Sequence, residues 1–229
     1  MEDLVAALRA EVQADFDEDG TGHDLSHLDR VYGLAEHLRL KEGGDPLVLA
    51  AASYVHDFHR VVEHKAGSYD AHVERATIDD LIQKALGAVN FPATLVPQVC
   101  DCVAFTDRYS FSGHALESPS IEARILRDAD NLDALGAIGI ARAFMFGGAL
   151  REPIWIADIE PSGIYEAGKT TSVVHHFHEK LLRLKDDMLT ASGRELAAER
   201  HEFMVLFLDE LKREWKLADV ASRGAAPTA

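Results

Sequence analysis

The sequence predicts an all-α fold, a single-domain helical bundle. Nearly every long segment spaces its apolar residues three and four apart, the period of a helix. No segment shows the strict alternation of a half-buried strand, and no repeat suggests a solenoid. The chain has 229 residues, enough for one sizeable core. One domain is therefore expected over residues 2–217, followed by a small, polar tail over 218–229 that reads as disordered.

Each element can be argued in order. Leu4, Leu8 and Val12 share one face of a first helix. Leu28, Val31, Leu34, Ala35 and Leu38 mark a second over residues 25–41, ended by Gly43 and Gly44. Asp45-Pro46 then supplies an N-cap followed by proline at the first helical position. That third helix carries Leu47, Ala50, Ala51, Tyr54 and Val55, and delivers His56 and Asp57 at its C-terminal end. A polar loop is expected over 59–69, a helix over 70–86 and another over 93–105. Residues 107–120 read as loop. The next helix starts near Ile121 and runs past Asp130, with Gly136 or Gly139 as the place for a break. Residues 151–169 mix proline, glycine and charge without periodicity, so a long loop or lid is expected there. A further helix starts near Ser172, and Ser192 to Glu195 matches a capping box opening the last helix.

Composition narrows the functions. Lys and Arg number 23 against 39 Asp and Glu, a formal net charge of -16. Wrapping a nucleic-acid polymer needs clustered basic residues, so none is expected as a partner. A small anionic substrate is compatible if a local basic pocket offsets the global field. Cys100 and Cys102 form a C-x-C pair, which fits neither a zinc knuckle nor a redox C-x-x-C. Buried, reduced thiols of a cytoplasmic protein are expected instead. The N-terminus has no basic patch leading into an apolar run, so no signal peptide is expected. The most apolar stretch, 132–150, contains Asp133, Arg142 and several glycines, and reads as a buried helix rather than a membrane span.

Four residues stand out together. His27 lies in S-H-x-x-R-V, His56-Asp57 closes an apolar helix, and Asp130 lies within R-D-A-D-N-L-D. Such groups are rarely buried unless paired or bound to metal. Two imidazoles and two carboxylates suit Mn2+, Fe2+, Co2+, Ni2+, Zn2+ or Mg2+. A cation held this way lowers the pKa of water and offsets phosphoryl charge, which phosphate-ester or anhydride hydrolysis requires. An isolated H-D dipeptide or helical histidine is common; the ordered set is much more specific.

With those residues in view, the chain resembles the HD-domain superfamily of metal-dependent phosphohydrolases. More closely, it resembles a stand-alone bacterial subgroup with the runs G-H-D-x-x-H-x-x-R-V, H-D and D-A-D-x-L-D-A-x-G-A-I-G-I-A-R. These stand here at 22–31, 56–57 and 128–142. The later runs H-F-x-E-K-L-L-x-L at 176–184 and M-x-T-x-x-G-R-x-x-A-x-x-R at 188–200 also match. The likeness extends over roughly residues 2–215. It implies one divalent ion, Mn2+ first, on His27, His56, Asp57 and Asp130. Asp130 is chosen over Asp128 by the superfamily's A-D-x-L pattern, leaving Asp128 and Asp133 to orient ligands or pack helices. The likeness also implies a nucleotide substrate, with release of pyrophosphate from nucleoside triphosphates.

The sequence departs from the family in two places. Related sequences often carry histidine just before S-F-S, where this chain has Tyr109. Many members place an acid shortly after H-D; here His59 and Arg60 are nearest, with Glu63 further along. Asp57, Arg60 and Lys65 are the catalytic candidates. Arg60, Lys65, Lys180 and Arg30 are the candidate substrate contacts, because Arg and Lys recognise phosphate oxygens. Arg142 is a weaker candidate, and each cation has the plainer alternative of a solvated or bracing role. His23 is expected near the site but off the metal, with Asp24 capping its helix. His175, His176 and His178 do not complete a second metal set.

The function expected is a metal-dependent hydrolase of nucleotide phosphate ester or anhydride bonds. The alternatives are a phosphodiesterase or signalling-nucleotide hydrolase, and a non-catalytic metal or nucleotide sensor. No membrane partner is expected, and self-association as a homo-oligomer is left open.

Overall fold

A computed structural model describes residues 1–16, 20–67, 73–106, 108–112, 118–163, 165 and 170–216. The tail expected over 218–229 lies outside these residues. Among them the architecture is all-α, with no strand. The helices are α1 (Glu2–Phe16), α2 (Leu25–Glu42), α3 (Pro46–Val55), α4 (Phe58–Ala66), α5 (Arg75–Ala88), α6 (Val96–Val103), α7 (Ile121–Asp133), α8 (Gly136–Ala149), α9 (Val173–Glu179) and α10 (Ala191–Trp215). Short 3-10 helices occupy Ala93–Leu95, Ser110–Ser112 and Leu181–Asp187.

The centre of the bundle is α2 packed on both α3 and α7. α3 is buried at every position from Val48 to Val55, because small alanines let its neighbours approach from all sides. α7 is also buried nearly all round, with Ile125, Leu126, Ala129 and Leu132 in the core beside Arg127, Asp128, Asn131 and Asp133. α6 packs on α3 and α7, α1 on α3 and α5, and α8 on α10 and α9. Cys100 and Cys102 are buried and unbridged. Burial pushes their thiols up, to about 11 and about 12.

Asp24 caps α2 by accepting from the His27 N–H, and Asp45 caps α3 by accepting from the N–H groups of Leu47 and Val48. Several local expectations are corrected. Much of the stretch read as polar loop over 59–69 is helical, since α4 extends to Ala66 and Gly67 closes it in the left-handed conformation. Its polar residues hide a buried stripe of Phe58, Val61 and Glu63. The following helix begins at Arg75; its expected start at Asp70 lies outside the described residues. The helix expected over 93–105 opens with a 3-10 turn, and Pro97 falls in the first turn of α6, where a missing N–H costs least. The last helix is capped by Thr190, whose hydroxyl accepts from the Gly193 N–H at 3.0 Å. Ser192 lies inside α10 and donates both its N–H and its hydroxyl to Glu42.

The apolar run across 132–150 is not one rod. α7 and α8 meet at a 72° bend, and no single helix in the described residues is long and apolar enough to cross a membrane. The break falls at Ala134 and Leu135. Gly136 follows with φ +73, against the Arg200 side chain, and a Cβ on Gly139 would stand 2.2 Å from the Ala134 carbonyl oxygen. Both glycines are therefore required by the bend.

The segment expected as a loop or lid, as far as it is described, is strapped to α9. Val173 and Val174 donate N–H bonds to the carbonyls of Pro153 and Ile154. The Ile159 carbonyl lies 2.8 Å from His175 Nε2, and Ser162 donates to the buried Glu179.

Candidate metal centre

The residues singled out by sequence converge from α2, the α3–α4 junction and α7. His27, His56 and Asp130 each offer a ligand atom, all within 4.8 Å of one another. The Nε2 atoms of His27 and His56 are 3.3 Å apart. Asp130 Oδ1 lies 3.4 Å from the first and 3.7 Å from the second. Asp57 Oδ2 closes on the same point, 3.2 Å from His27 Nε2 and 3.6 Å from His56 Nε2. Asp57 reaches it because it occupies the joint between α3 and α4, with φ -94 and ψ 16.

The remaining atoms of both imidazoles are already committed. His56 Nδ1 donates to the Ser53 carbonyl at 2.9 Å, and His27 Nδ1 donates to Asp133 Oδ2 at 2.7 Å. Each ring thereby turns Nε2 and its lone pair inward, the arrangement that ligating histidines adopt. Asp133 also accepts from Arg30 Nε at 2.7 Å, Arg30 Nη2 at 2.9 Å and Arg142 Nη1 at 3.1 Å. These bonds hold its carboxyl far below the usual range although burial pushes the other way. Asp128 faces elsewhere: it accepts from the N–H groups of Leu189 and Thr190 and from the Thr190 hydroxyl.

The electrostatics call for a cation. Burial alone would lower the pKa of His56, yet Asp57 and Asp130 raise it to about 9. Burial likewise opposes ionisation of Asp57 and Asp130, yet the two histidines hold both below the usual range. Asp57 Oδ2 is buried without a hydrogen-bond partner. A buried carboxylate oxygen left that way is costly unless a positive charge meets it. Two inward lone pairs, two ionised carboxylates and one orphaned oxygen fit a single divalent ion.

A pocket adjoins the cluster and encloses about 760 Å³, including the solvent in its mouth. Its walls carry the cations Arg60, Arg142 and Lys180 and the rings of His23, Phe146 and Tyr165. His23 links pocket to cluster, its ring centroid 5.8 Å from that of His27. Burial, together with the positive charge of Arg142 and Arg60, pushes the pKa of His23 well down, against the pull of Asp57. Arg60 donates to the buried Glu63 at 2.9 Å.

The other candidates fall outside this pocket. Arg30 turns its guanidinium onto Asp133 and Ser26. Lys65 is exposed and pairs with Asp15 at 3.2 Å. The three nearby histidines diverge: His175 to Ser172 and Ile159, His176 into the pocket, and His178 toward Lys212. Sequence reasoning did not single out Tyr165, Phe146 or His176 as pocket walls. None carries a local signature, since α8, α9 and the segment before α9 meet only in the fold.

No protein-family model matches the chain. It is 37% identical to the uncharacterized protein YpgQ of Bacillus subtilis over 207 residues, 90% of this chain and 91% of that one. The crystal structure of YpgQ in complex with ADP superimposes with a TM-score of 0.66 and 30% identity, covering 93% of this chain and 95% of that one. A Lactobacillus plantarum protein gives a TM-score of 0.76 at 30% identity, covering 95% and 99%. A Bacillus thuringiensis HD-superfamily hydrolase gives 0.67 at 29% identity, covering 94% and 96%.

The chain belongs to the HD superfamily of hydrolases. It is thus a metal-dependent phosphohydrolase, and its structure contains a His/His/Asp cluster that could hold a metal ion.

Proposed function

We propose that this HD-superfamily enzyme hydrolyses phosphate ester or anhydride bonds of nucleotides, nucleoside triphosphates foremost. The observation that carries the reading is a pocket combining three cations with aromatic walls, joined to the cluster through His23, whose ring packs against that of His27. The ADP found in the crystal structure of YpgQ supports a nucleotide ligand.

His27, His56, Asp57 and Asp130 would hold the ion, with Mn2+ the preferred metal. When bound, such an ion makes water a competent nucleophile near neutral pH and offsets phosphoryl charge. The protein supplies the rest. Asp133 fixes the His27 ring, and Ser53 fixes that of His56. Arg60 and Lys180 take phosphate oxygens, while Phe146 and Tyr165 shield the ligand from bulk water. Lys65 and Arg30 serve as surface and bracing cations, because their charges are met by Asp15 and Asp133. Asp57 combines ligation with the orientation of the attacking water.

Purified protein with Mn2+ should release phosphate or pyrophosphate from at least one nucleoside triphosphate, and EDTA should abolish turnover. Cyclic nucleotides and guanosine polyphosphates belong in the same panel, since their preferential hydrolysis would favour a phosphodiesterase or signalling-nucleotide hydrolase. Nucleotide binding without product across the panel would sink the catalytic reading in favour of a sensor.

A further inference from the structure

α9 carries three histidines, and the protein itself meets two of them. His175 is held at both ring nitrogens, with Nδ1 2.6 Å from the Ser172 hydroxyl and Nε2 2.8 Å from the Ile159 carbonyl. His178 Nε2 lies 3.4 Å from the Lys212 ammonium. His176 differs. It lines the pocket, and neither of its ring nitrogens hydrogen-bonds to any of the described residues.

The ring is nonetheless seated. Tyr165 lies against it, with centroids 6.1 Å apart and planes at 53°, and Tyr165 meets Phe111 edge to face at 6.1 Å and 80°. Val173, Val174 and Phe177 are buried, which anchors α9 with His176 toward the pocket. Polar atoms set into an enclosed wall without a protein partner are costly unless a ligand or water meets them.

The chemistry of the ring narrows the ligand group. Burial, and then the charge of Lys180, push the His176 pKa down to about 3, so the imidazole is neutral near neutral pH. A neutral imidazole offers one N–H donor and one lone-pair acceptor and brings no charge to a phosphate. The cations of the same pocket, Arg60, Arg142 and Lys180, suit the phosphate chain instead. A donor and an acceptor on one flat ring match sugar hydroxyls and the heteroatoms of a base.

We infer that His176 is a specificity-determining residue that hydrogen-bonds the uncharged, nucleoside part of the substrate within this pocket. The inference deepens the nucleotide reading above and rests on it. Tyr165 sets the plane of the imidazole, and the nucleoside completes the hydrogen bonding that the chain leaves open.

Equilibrium binding in the presence of Mn2+ tests this with ADP, ribose diphosphate and methyl diphosphate, which carry the same diphosphate and progressively less nucleoside. Bound metal and thermal midpoint are measured for every variant. The parent should bind ADP about 10-fold more tightly than methyl diphosphate, as expected where hydrogen bonds to the nucleoside add to the charged contacts. His176→Phe keeps a ring against Tyr165 but removes both hydrogen-bonding atoms. It should weaken ADP binding about 10-fold, leave methyl diphosphate within about twofold and preserve the salt dependence, as expected for loss of a neutral contact. His176→Gln restores a donor and an acceptor and should recover part of the loss. A loss shared by ADP and ribose diphosphate assigns the contact to the sugar, and a loss confined to ADP assigns it to the base; both support the proposal. Equal weakening of ADP and methyl diphosphate, or an unaltered ADP affinity in His176→Phe, would overturn it. If His176→Phe does not fold, His176→Leu takes its place under the same criteria. ADP binding without turnover of any nucleotide defeats the hydrolase reading alone. Turnover by a parent that binds ADP no tighter than methyl diphosphate defeats the role of His176 alone.

Discussion

Asp133 shows how much of the cluster's geometry is set by a residue outside it. Its carboxylate receives the His27 imidazole and two arginines, so it fixes the ring's orientation and joins α2, α7 and α8 at one point. Asp133→Asn keeps the shape but weakens the pull on His27 Nδ1–H. Metal affinity is expected to fall roughly 10–100-fold, measured by competition with a chelating dye. Unchanged affinity would assign Asp133 a packing role only. His176 gives a second prediction. Burial, and then Lys180, push its pKa down to about 3. The unfolded chain takes up that proton near pH 6.5 while the folded chain refuses it until about pH 3. Stability present above pH 6.5 should thus decline as the pH falls through this window. The urea midpoint of His176→Phe should drop less between pH 7 and pH 4.5 than that of the parent; an equal drop would exclude His176 as a source. At this scale His27, His56 and Asp57 stand in local patterns that make them conspicuous, whereas Asp130 is separated from Asp128 only by the superfamily's A-D-x-L pattern; the fold brings all four together. Arg30 reads in sequence as either a phosphate contact or a brace, and the fold decides for the brace, its guanidinium meeting Asp133 across 103 positions of chain.

Among the elements, the entry to α10 depends on Thr190 rather than on the residue that the capping pattern favoured. The Thr190 hydroxyl accepts from Gly193 N–H and donates to Asp128, which also takes the Leu189 and Thr190 amides. A Cβ on Gly193 would stand 2.5 Å from Asp128 Oδ2, so helix and carboxylate meet with no room between. Thr190→Ala should cost about 1 kcal/mol or more in urea unfolding, the usual loss for an N-cap. Ser192→Ala should cost less than Thr190→Ala; the reverse order would restore the capping-box assignment. The capping pattern pointed to Ser192, because the partner that holds Thr190, Asp128, lies more than sixty residues away. α4 was missed for a related reason. Its apolar stripe is only Phe58 and Val61, too short to register as a period, and its third buried residue is a glutamate matched by Arg60.

For the molecule as a whole, binding and folding are linked. The four inward-facing groups come from distant parts of the chain, so the unfolded protein has no preformed equivalent. A ligand that binds only the folded state at a hundredfold excess over its Kd stabilises it by about 2.7 kcal/mol. For a chain of this length that corresponds to a rise in Tm of roughly 5–10 °C with saturating Mn2+. EDTA should reverse the rise, and His56→Ala should show none. A metal-independent Tm would argue against the centre. The helical class followed from periodicity, since the apolar faces repeat at helical spacing; the packing of α2 on α3 and α7 is seen only in the fold. The pocket is likewise seen only there, because its walls come from segments that acquire a common surface only after the chain turns at Ala134 and Leu135.

That turn separates two tasks along one stretch of chain. Arg142 follows Asp133 by nine positions, which in an unbroken helix would carry it about 13 Å further along the axis. The corner instead brings their side chains to 3.1 Å. Residues before the corner place Asp130 and Asp133 at the cluster, while those after it line the pocket with Arg142, Ala143 and Phe146. Ala143 and Phe146 can therefore vary along the pocket wall while Arg142 keeps its bond to Asp133.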